Sequence, residues 1–326
     1  MEYVSLIKTP IEAELSRFNA LFDSTLQSSN PLLAHVIAHI RQRNGKQMRP
    51  MLVLLVAKLC GQGQVSDTAL HAAFALELLH TASLVHDDVV DESAQRRGQL
   101  SVNAAFNNKV AVLSGDYLLS TALVQVSLTR HLDIFKLISV LGQELADGEL
   151  LQLANVSNPT LSEEVYFDII RKKTASLFAA CTKAGALAAG ASDEMVEKMR
   201  LFGEYLGLCF QIKDDIFDYA PNAALGKPTG NDMREGKLTL PALYALRHTP
   251  DETALQWASR VKEGEASSDE IDRLVTFTRK QGGIEYAIRR MEDLRRQALT
   301  LLEPLPDDDL KQALVAYLDY GVEREL

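Results

Sequence analysis

The sequence predicts an all-α protein, a single large helical bundle over residues 1–326 with a cavity between its central helices. Three observations lead there. Apolar residues recur at steps of three and four along most of the chain, the spacing of one helix face. The strict two-residue alternation with Gly/Asn turns that marks sheets is essentially missing, so little or no strand is expected. An acidic pattern, Asp-Asp-x-x-Asp, occurs twice, each time following apolar helical sequence.

The helical stripes run through Leu70 to Val85, Val110 to Leu128, Ile134 to Leu153, Val165 to Ala189 and Val196 to Tyr219. A further stripe, Ile284, Ala287, Ile288, Met291, Leu294, Ala298, Leu301 and Leu302, carries Glu and Arg on its other face. Thr160-Leu161-Ser162-Glu163 after Pro159 reads as a capping box, and Ser192-Asp193-Glu194 and Ser268-Asp269-Glu270 as further helix starts. Breaks fall at Gly61-Gln62-Gly63, Asn158-Pro159, Pro221-Asn222, Gly226 to Gly230, Thr249-Pro250-Asp251 and Pro304 to Pro306. Ala and Gly at Ala179-Ala180, Ala184-Gly185-Ala186 and Ala188-Ala189-Gly190 let helices approach closely. No linker-like stretch divides the middle of the chain.

Composition narrows the class. Apolar residues are 47% and charged ones 24% of 326, which suits a globular protein with a large core. A net charge of −10 lacks the basic footprint of a nucleic-acid binder. Cys60, Cys181 and Cys209 are too few and scattered for a disulfide framework or a zinc site, as expected of a reducing cytoplasm. The N-terminal residues show no basic-then-apolar signal pattern. The most apolar run, Met51 to Ala57, is too short to span a bilayer, so no transmembrane segment is expected.

The chemistry lies in Asp87-Asp88-Val89-Val90-Asp91 and Asp214-Asp215-Ile216-Phe217-Asp218. In a helix, positions i, i+1 and i+4 fall within an arc of about 100°. Like charges ~4 Å apart repel by roughly 4 kcal/mol at an effective dielectric near 20. Three such groups on an apolar helix, twice, call for a bound cation. Oxygen-only ligands favour Mg²⁺, which takes one or two carboxylates, several waters and substrate phosphates. Two facing Asp-rich walls holding Mg²⁺ and a diphosphate are therefore expected.

Other motifs accompany the Asp pair: Gly45-Lys46-Gln47-Met48-Arg49-Pro50 upstream, Arg96-Arg97-Gly98 after the first triad, and Lys173-Thr174 before Leu177-Phe178. Phe210-Gln211 precedes the second triad, and Gly226-Lys227, Asp232 and Gly236-Lys237-Leu238-Thr239-Leu240-Pro241 follow it. In this order they resemble the trans-isoprenyl diphosphate synthase (polyprenyl synthetase) family over nearly the whole chain, and the text from Ala82 to Gly98 is most similar to bacterial long-chain, octaprenyl-type enzymes. The resemblance implies an isoprenoid-synthase-type bundle and Mg²⁺-dependent condensation of isopentenyl diphosphate onto an allylic diphosphate such as farnesyl diphosphate. A cytoplasmic homodimer making quinone side chains is implied as well.

The same resemblance implies residue roles. Asp87, Asp91 and Asp214 ligate two or three Mg²⁺ with substrate diphosphate, and Asp88, Asp215 and Asp218 are further ligands or hold the ligands from behind. Arg96, Lys173, Lys227 and Lys237 grip the allylic diphosphate, with Thr174 and Gln211 hydrogen-bonding near the reacting carbon. Gly45, Lys46, Arg49, His80 and Arg97 hold isopentenyl diphosphate. Fixed cations suit an anionic leaving group, and an Arg fork suits phosphate oxygens.

Ser83 lies four residues before Asp87, one turn or ~5.4 Å along the helix, with Ala82 beside it. In the family, bulky aromatics at these two positions stop chain growth, so Ala82 and Ser83 imply a long product. Leu123, Val126, Phe135 and Ile138 are candidates for the tunnel floor. His86 is turned about 100° from Asp87 and is read as structural.

The alternatives are a shorter-chain geranylgeranyl or farnesyl diphosphate synthase, an HD-type metal phosphohydrolase using His86-Asp87 with His71 or His80, and a non-catalytic prenyl synthase subunit. A terpene cyclase fits less well, because the second motif is Asp-rich rather than Asn/Ser/Glu. The duplicated Asp motif argues against the last three.

Overall fold

A computed structural model describes residues 2–42, 46–96, 98–156, 158, 162–219 and 229–324. In chain order the helices are α1 (Glu2–Lys8), α2 (Glu12–Thr25), α3 (Pro31–Arg41), α4 (Met48–Cys60) and α5 (Asp67–Val90). A two-stranded hairpin, β1 (Gln95–Arg96) and β2 (Gln99–Leu100), follows. Next come α6 (Val102–Ala105), α7 (Asn108–Leu128), α8 (Leu132–Val156), α9 (Glu163–Ile170), a π-turn (Arg171–Ala175), α10 (Ser176–Ala188) and α11 (Asp193–Phe217). The rest are α12 (Asn231–Arg234), α13 (Leu240–His248), α14 (Glu252–Lys262), α15 (Ser268–Lys280), α16 (Gly283–Leu302) and α17 (Asp309–Glu323). The all-α class holds; the short hairpin is the one sheet among the described residues.

The chain forms two compact units. The first comprises residues 1–142, 177–203 and 305–316. Its α4 is buried without interruption from Pro50 to Ala57, as befits a helix apolar on every side. A Cβ at Gly185 of α10 would lie 2.6 Å from the carbonyl oxygen of Val53, so only glycine permits this approach to α4. The small residues of the middle helices thus have a packing role here. Helix α5 lies against α4 and α7, with Phe74 meeting Phe18 and Phe22 of α2. Beyond α5, Ser101 and Asn103 tie the hairpin back: Ser101 Oγ donates to Ser93 O at 2.5 Å and Asn103 Nδ2 to Asp88 O at 3.0 Å.

The second unit comprises residues 143–176, 204–304 and 317–326. Helix α13 packs on α15 and α16, and Arg279 Nε donates to Tyr219 O at 2.6 Å, fixing the end of α11. Two helix starts differ from expectation. The capping box opening α15 is Ser267 with Glu270, one residue before the expected Ser268, because only Ser267 stands three residues ahead of that glutamate. Ser162 caps α9 by accepting from Val165 N, so Glu163 is the first helical residue; Thr160 and Leu161 lie outside the described residues. Glu163 instead accepts from Tyr286 Oη at 2.9 Å. The Ser192 start is as expected, its Oγ accepting from Met195 N.

Helices α5 and α7 are long and apolar enough to cross a membrane by length and composition alone, a test that core helices also pass. Most of the apolar stretch of α5 is buried against its neighbours.

Candidate active site

Both Asp triads sit at the C-terminal ends of their helices, Asp87 to Asp91 closing α5 and Asp214 to Asp218 closing α11. That is the negative end of a helix dipole, where each added carboxylate is disfavoured by roughly 0.3–1 kcal/mol. Mutual repulsion and the dipole therefore act together, and both are relieved by a cation.

In the first unit, Asp88 is turned inward and only 1% exposed. Its Oδ1 accepts from Arg96 Nε at 2.6 Å, the partner a buried carboxylate requires. Asp87 is half-buried and Asp91 exposed, and the Asp91 N–H donates to Asp87 O at 2.8 Å. His80 is buried on the same helix. Lys46 is exposed just before α4, while Arg49 stacks over the Phe178 ring at 5.3 Å, its buried Nε without a hydrogen-bond partner among the described residues. Gly45, Arg97 and Lys227 lie outside the described residues. His86 is structural: its Nε2 is 3.2 Å from Val112 O and the ring lies where a side chain at Gly115 would stand. His71 Nδ1 is 2.8 Å from Gln125 Oε1. Two histidines that an HD-type site would draw on are thus committed to α7.

In the second unit a cavity of ≈190 Å³ is lined by Tyr166, Lys173, Thr174, Gln211, Asp215, Asp232, Lys237 and Lys262 among others. The stripe from Val165 to Ala189, read as one helix, is interrupted by the π-turn, which carries Lys173 and Thr174. Such widened turns recur at functional sites because they re-aim side chains. Gly148 of α8 makes room for it, since a Cβ there would lie 2.8 Å from Lys172 Cβ and 3.0 Å from Lys173 N. Lys173 Nζ is 2.5 Å from Glu149 Oε2, and Lys237 Nζ is 2.6 Å from Glu235 Oε2.

A hydrogen-bonded chain joins the π-turn to the second triad. Thr174 Oγ1 donates to Gln211 Oε1 at 2.8 Å, and Gln211 Nε2 donates to Asp215 Oδ1 at 2.8 Å. Tyr166 Oη donates to Asp215 Oδ2 at 2.7 Å. Asp215 is 3% exposed, and burial, then the charge of Asp232, hold its carboxyl well above the usual carboxylate range. Asp218 accepts from the backbone N–H groups of Asn231 at 2.8 Å and Asp232 at 3.1 Å, and burial raises its pKa. Asp232 is pushed up to about 7 by burial and then by Asp218. Asp214 is nearly half exposed and pairs with Arg324 Nη2 at 2.6 Å; that guanidinium lies 3.6 Å over the Phe210 ring.

Asp88, Asp215 and Asp218 accept from protein donors, Asp214 pairs with Arg324, and Asp91 and Asp214 carry the exposed carboxylates. Among the described residues no three His, Cys, Asp or Glu side chains form a closed cage. Mg²⁺ does not ask for one, since it keeps waters and phosphate oxygens. Oxygen-only donors suit a hard divalent ion that also keeps waters and phosphate oxygens; the raised pKa values of Asp215, Asp218 and Asp232 come first from burial. The residues fit the ion.

The sequence reading assigned no role to Tyr166, Glu149, Asp232, Lys262 or Arg324. Asp232 had a signal, an acid set between Lys227 and Lys237; the others meet their partners only in three dimensions. Buried Lys262 donates to Asn155 O at 3.1 Å and to Asn158 O. Of the expected tunnel-floor residues, Val126 and Ile138 are buried, but Leu123 and Phe135 are on the exposed side of α7 and α8 and cannot close a tunnel within one chain.

The fold and this donor set define a helical enzyme of diphosphate chemistry. The sequence matches the Polyprenyl synthetase family over residues 30–277, and the chain belongs to that family. It is 36% identical to octaprenyl diphosphate synthase of Haemophilus influenzae, over 96% of this chain and 94% of the relative. It is 59% identical to the crystal structure of geranylgeranyl pyrophosphate synthase from Bacteroides thetaiotaomicron, with TM-score 0.87 over 99% of this chain and 100% of the other. A polyprenyl synthase from Caulobacter crescentus, crystallised with calcium and isoprenyl diphosphate, is 32% identical with TM-score 0.90 over 98% of each chain.

Gly148→Ala tests the close approach at the π-turn. Overpacking of this kind costs about 1–3 kcal/mol, so chemical denaturation should show a clear loss of stability. An unchanged or raised midpoint would mean that the π-turn does not rest on α8.

Proposed function

We propose that this polyprenyl synthetase is an all-trans polyprenyl diphosphate synthase that condenses isopentenyl diphosphate onto an allylic diphosphate and makes a long-chain product. The observation that supports it most is the second-unit cavity, where Asp215 and Asp232 share one small space with Lys173, Lys237 and Lys262. Mg²⁺ would supply Lewis-acid neutralisation for a departing diphosphate. Asp87, Asp91 and Asp214 are its ligands, and Asp88, Asp215 and Asp218 stay with their protein donors and keep the helix ends in place. Lys173 and Lys237 exchange Glu149 and Glu235 for diphosphate oxygens, and Lys227 and Arg96 add positive charge. Thr174 and Gln211 hold their dipoles steady at the reacting end. Arg49, Lys46, His80, Gly45 and Arg97 serve isopentenyl diphosphate; the Arg49 Nε, without a hydrogen-bond partner among the described residues, supports its share of that role.

Small side chains at Ala82 and Ser83 support a long product. Ala82 is buried, and Ser83 folds its hydroxyl back onto His80 O at 2.9 Å, so neither adds bulk beyond its helix. A geranylgeranyl product is the second reading, favoured by the name of the 59% identical structure. Product sizing after incubation with isopentenyl and farnesyl diphosphates and Mg²⁺ separates the two.

A homodimer is part of the proposal. Leu113, Val124 and Leu128 of α7 and Leu132 and Phe135 of α8 are exposed in the single chain, Leu113 by 68% and Leu132 by 80%. Exposed apolar side chains in such number on neighbouring stretches suit a face covered by a second copy.

Three outcomes test these assignments. Asp87→Ala and Asp214→Ala should each lower turnover by at least about 100-fold with helical circular dichroism intact; near-normal activity in both would remove the triads from the metal sites. Ser83→Phe should shorten the product on chromatography, and an unchanged length would refute the tunnel. Leu113→Glu with Leu132→Glu should convert a dimer to a monomer by light scattering; a native protein that is already monomeric contradicts the dimer.

A further inference from the structure

We infer that Tyr166 is a positioning residue for the diphosphate-binding π-turn: its hydroxyl, by filling Oδ2 of Asp215, fixes the strut that aims Lys173 and Thr174 into the cavity. The inference rests on the proposed prenyl-transfer role of that cavity.

Helix α9 runs without a break into the π-turn, so Tyr166 and Thr174 are eight residues apart on one helical rod. Eight residues of plain α-helix advance by about 800°, leaving two positions roughly 80° apart in direction. The wider π-turn winds less per residue and brings position 174 back towards the face of position 166. Both then meet α11, where their partners Asp215 and Gln211 are one turn apart. The contacts are Tyr166 Oη to Asp215 Oδ2 at 2.7 Å and Thr174 Oγ1 to Gln211 Oε1 at 2.8 Å. The rung between them, Gln211 Nε2 to Asp215 Oδ1 at 2.8 Å, closes the chain.

The direction of every bond in this chain follows from Tyr166. With Oδ2 filled, Asp215 offers Oδ1 to an amide N–H, which fixes the Gln211 carboxamide with its oxygen towards Thr174. Without the phenol hydroxyl, Asp215 is left with an unsatisfied oxygen and turns, and the carboxamide is free to flip. Thr174 then loses its tie, and the π-turn that carries Lys173 loses that anchor on α11.

Tyr166→Phe removes one oxygen and keeps the ring. Calorimetry with inorganic pyrophosphate and Mg²⁺ should show binding weakened by about tenfold or more, the range for supporting partners of ligand side chains. In steady-state assays the KM for farnesyl diphosphate should rise by a similar factor while that for isopentenyl diphosphate stays put. Native-like pyrophosphate binding in the Phe variant, or an equal rise in both KM values, overturns the inference. Prenyl transfer by the unaltered protein is measured alongside; its absence would remove the proposed activity, whereas the pyrophosphate result still judges Tyr166. The double variant Tyr166→Phe with Asp215→Asn removes the carboxyl through which Tyr166 acts and should bind pyrophosphate no worse than Asp215→Asn alone. Additive losses would mean that Tyr166 does not act through Asp215.

Discussion

Negative charge gathered at two helix C-termini is the constraint on which the rest of this structure depends. Each end gathers three carboxylates where the helix dipole already disfavours them. The protein relieves part of that burden itself. Arg96 takes Asp88, Tyr166 and Gln211 take Asp215, and the backbone at positions 231 and 232 takes Asp218. These contacts keep the triads folded in place, and Arg324 pairs with Asp214.

Positive charge follows the same division. Lys173 and Lys237 line the cavity but are each held by a glutamate, Glu149 and Glu235. Such pairs are poised for exchange, because a diphosphate offers more negative charge to each ammonium than one carboxylate does. A site built from paired charges stays soluble and ordered before substrate arrives. Packing around it is close: Gly148 lets α8 touch the π-turn backbone, and buried Lys262 ties the end of α8 to α14 through Asn155 and Asn158 carbonyls.

Much of this was legible in the sequence, for a physical reason. A three-to-four-residue apolar period survives any packing arrangement, so the stripes from Leu70 to Val85 and Val110 to Leu128 became α5 and α7 with modest extensions. The Asp motifs were legible because their spacing alone places the carboxylates on one arc. The π-turn was not, since its widening answers a neighbour, Gly148, more than twenty residues upstream. Tyr166 was hidden for the same reason: an aromatic on an apolar stripe reads as core until its hydroxyl is seen to meet Asp215. Leu123 and Phe135 were misjudged because helical position gives spacing along a face and not which face turns outward. The helix starts at Ser162 and Ser267 show how one or two residues of register decide which glutamate caps and which, like Glu163, is released to bind Tyr286.

Divalent-ion occupancy at the two helix ends is the most direct test. Crystals grown with Mn²⁺ and pyrophosphate would reveal the ions by anomalous scattering. Peaks within coordination distance of Asp87 and Asp91, and of Asp214, are expected, with pyrophosphate oxygens completing their shells. Ordered pyrophosphate with no metal at either triad, or Mn²⁺ bound only at other carboxylates, would contradict the assignment of these aspartates.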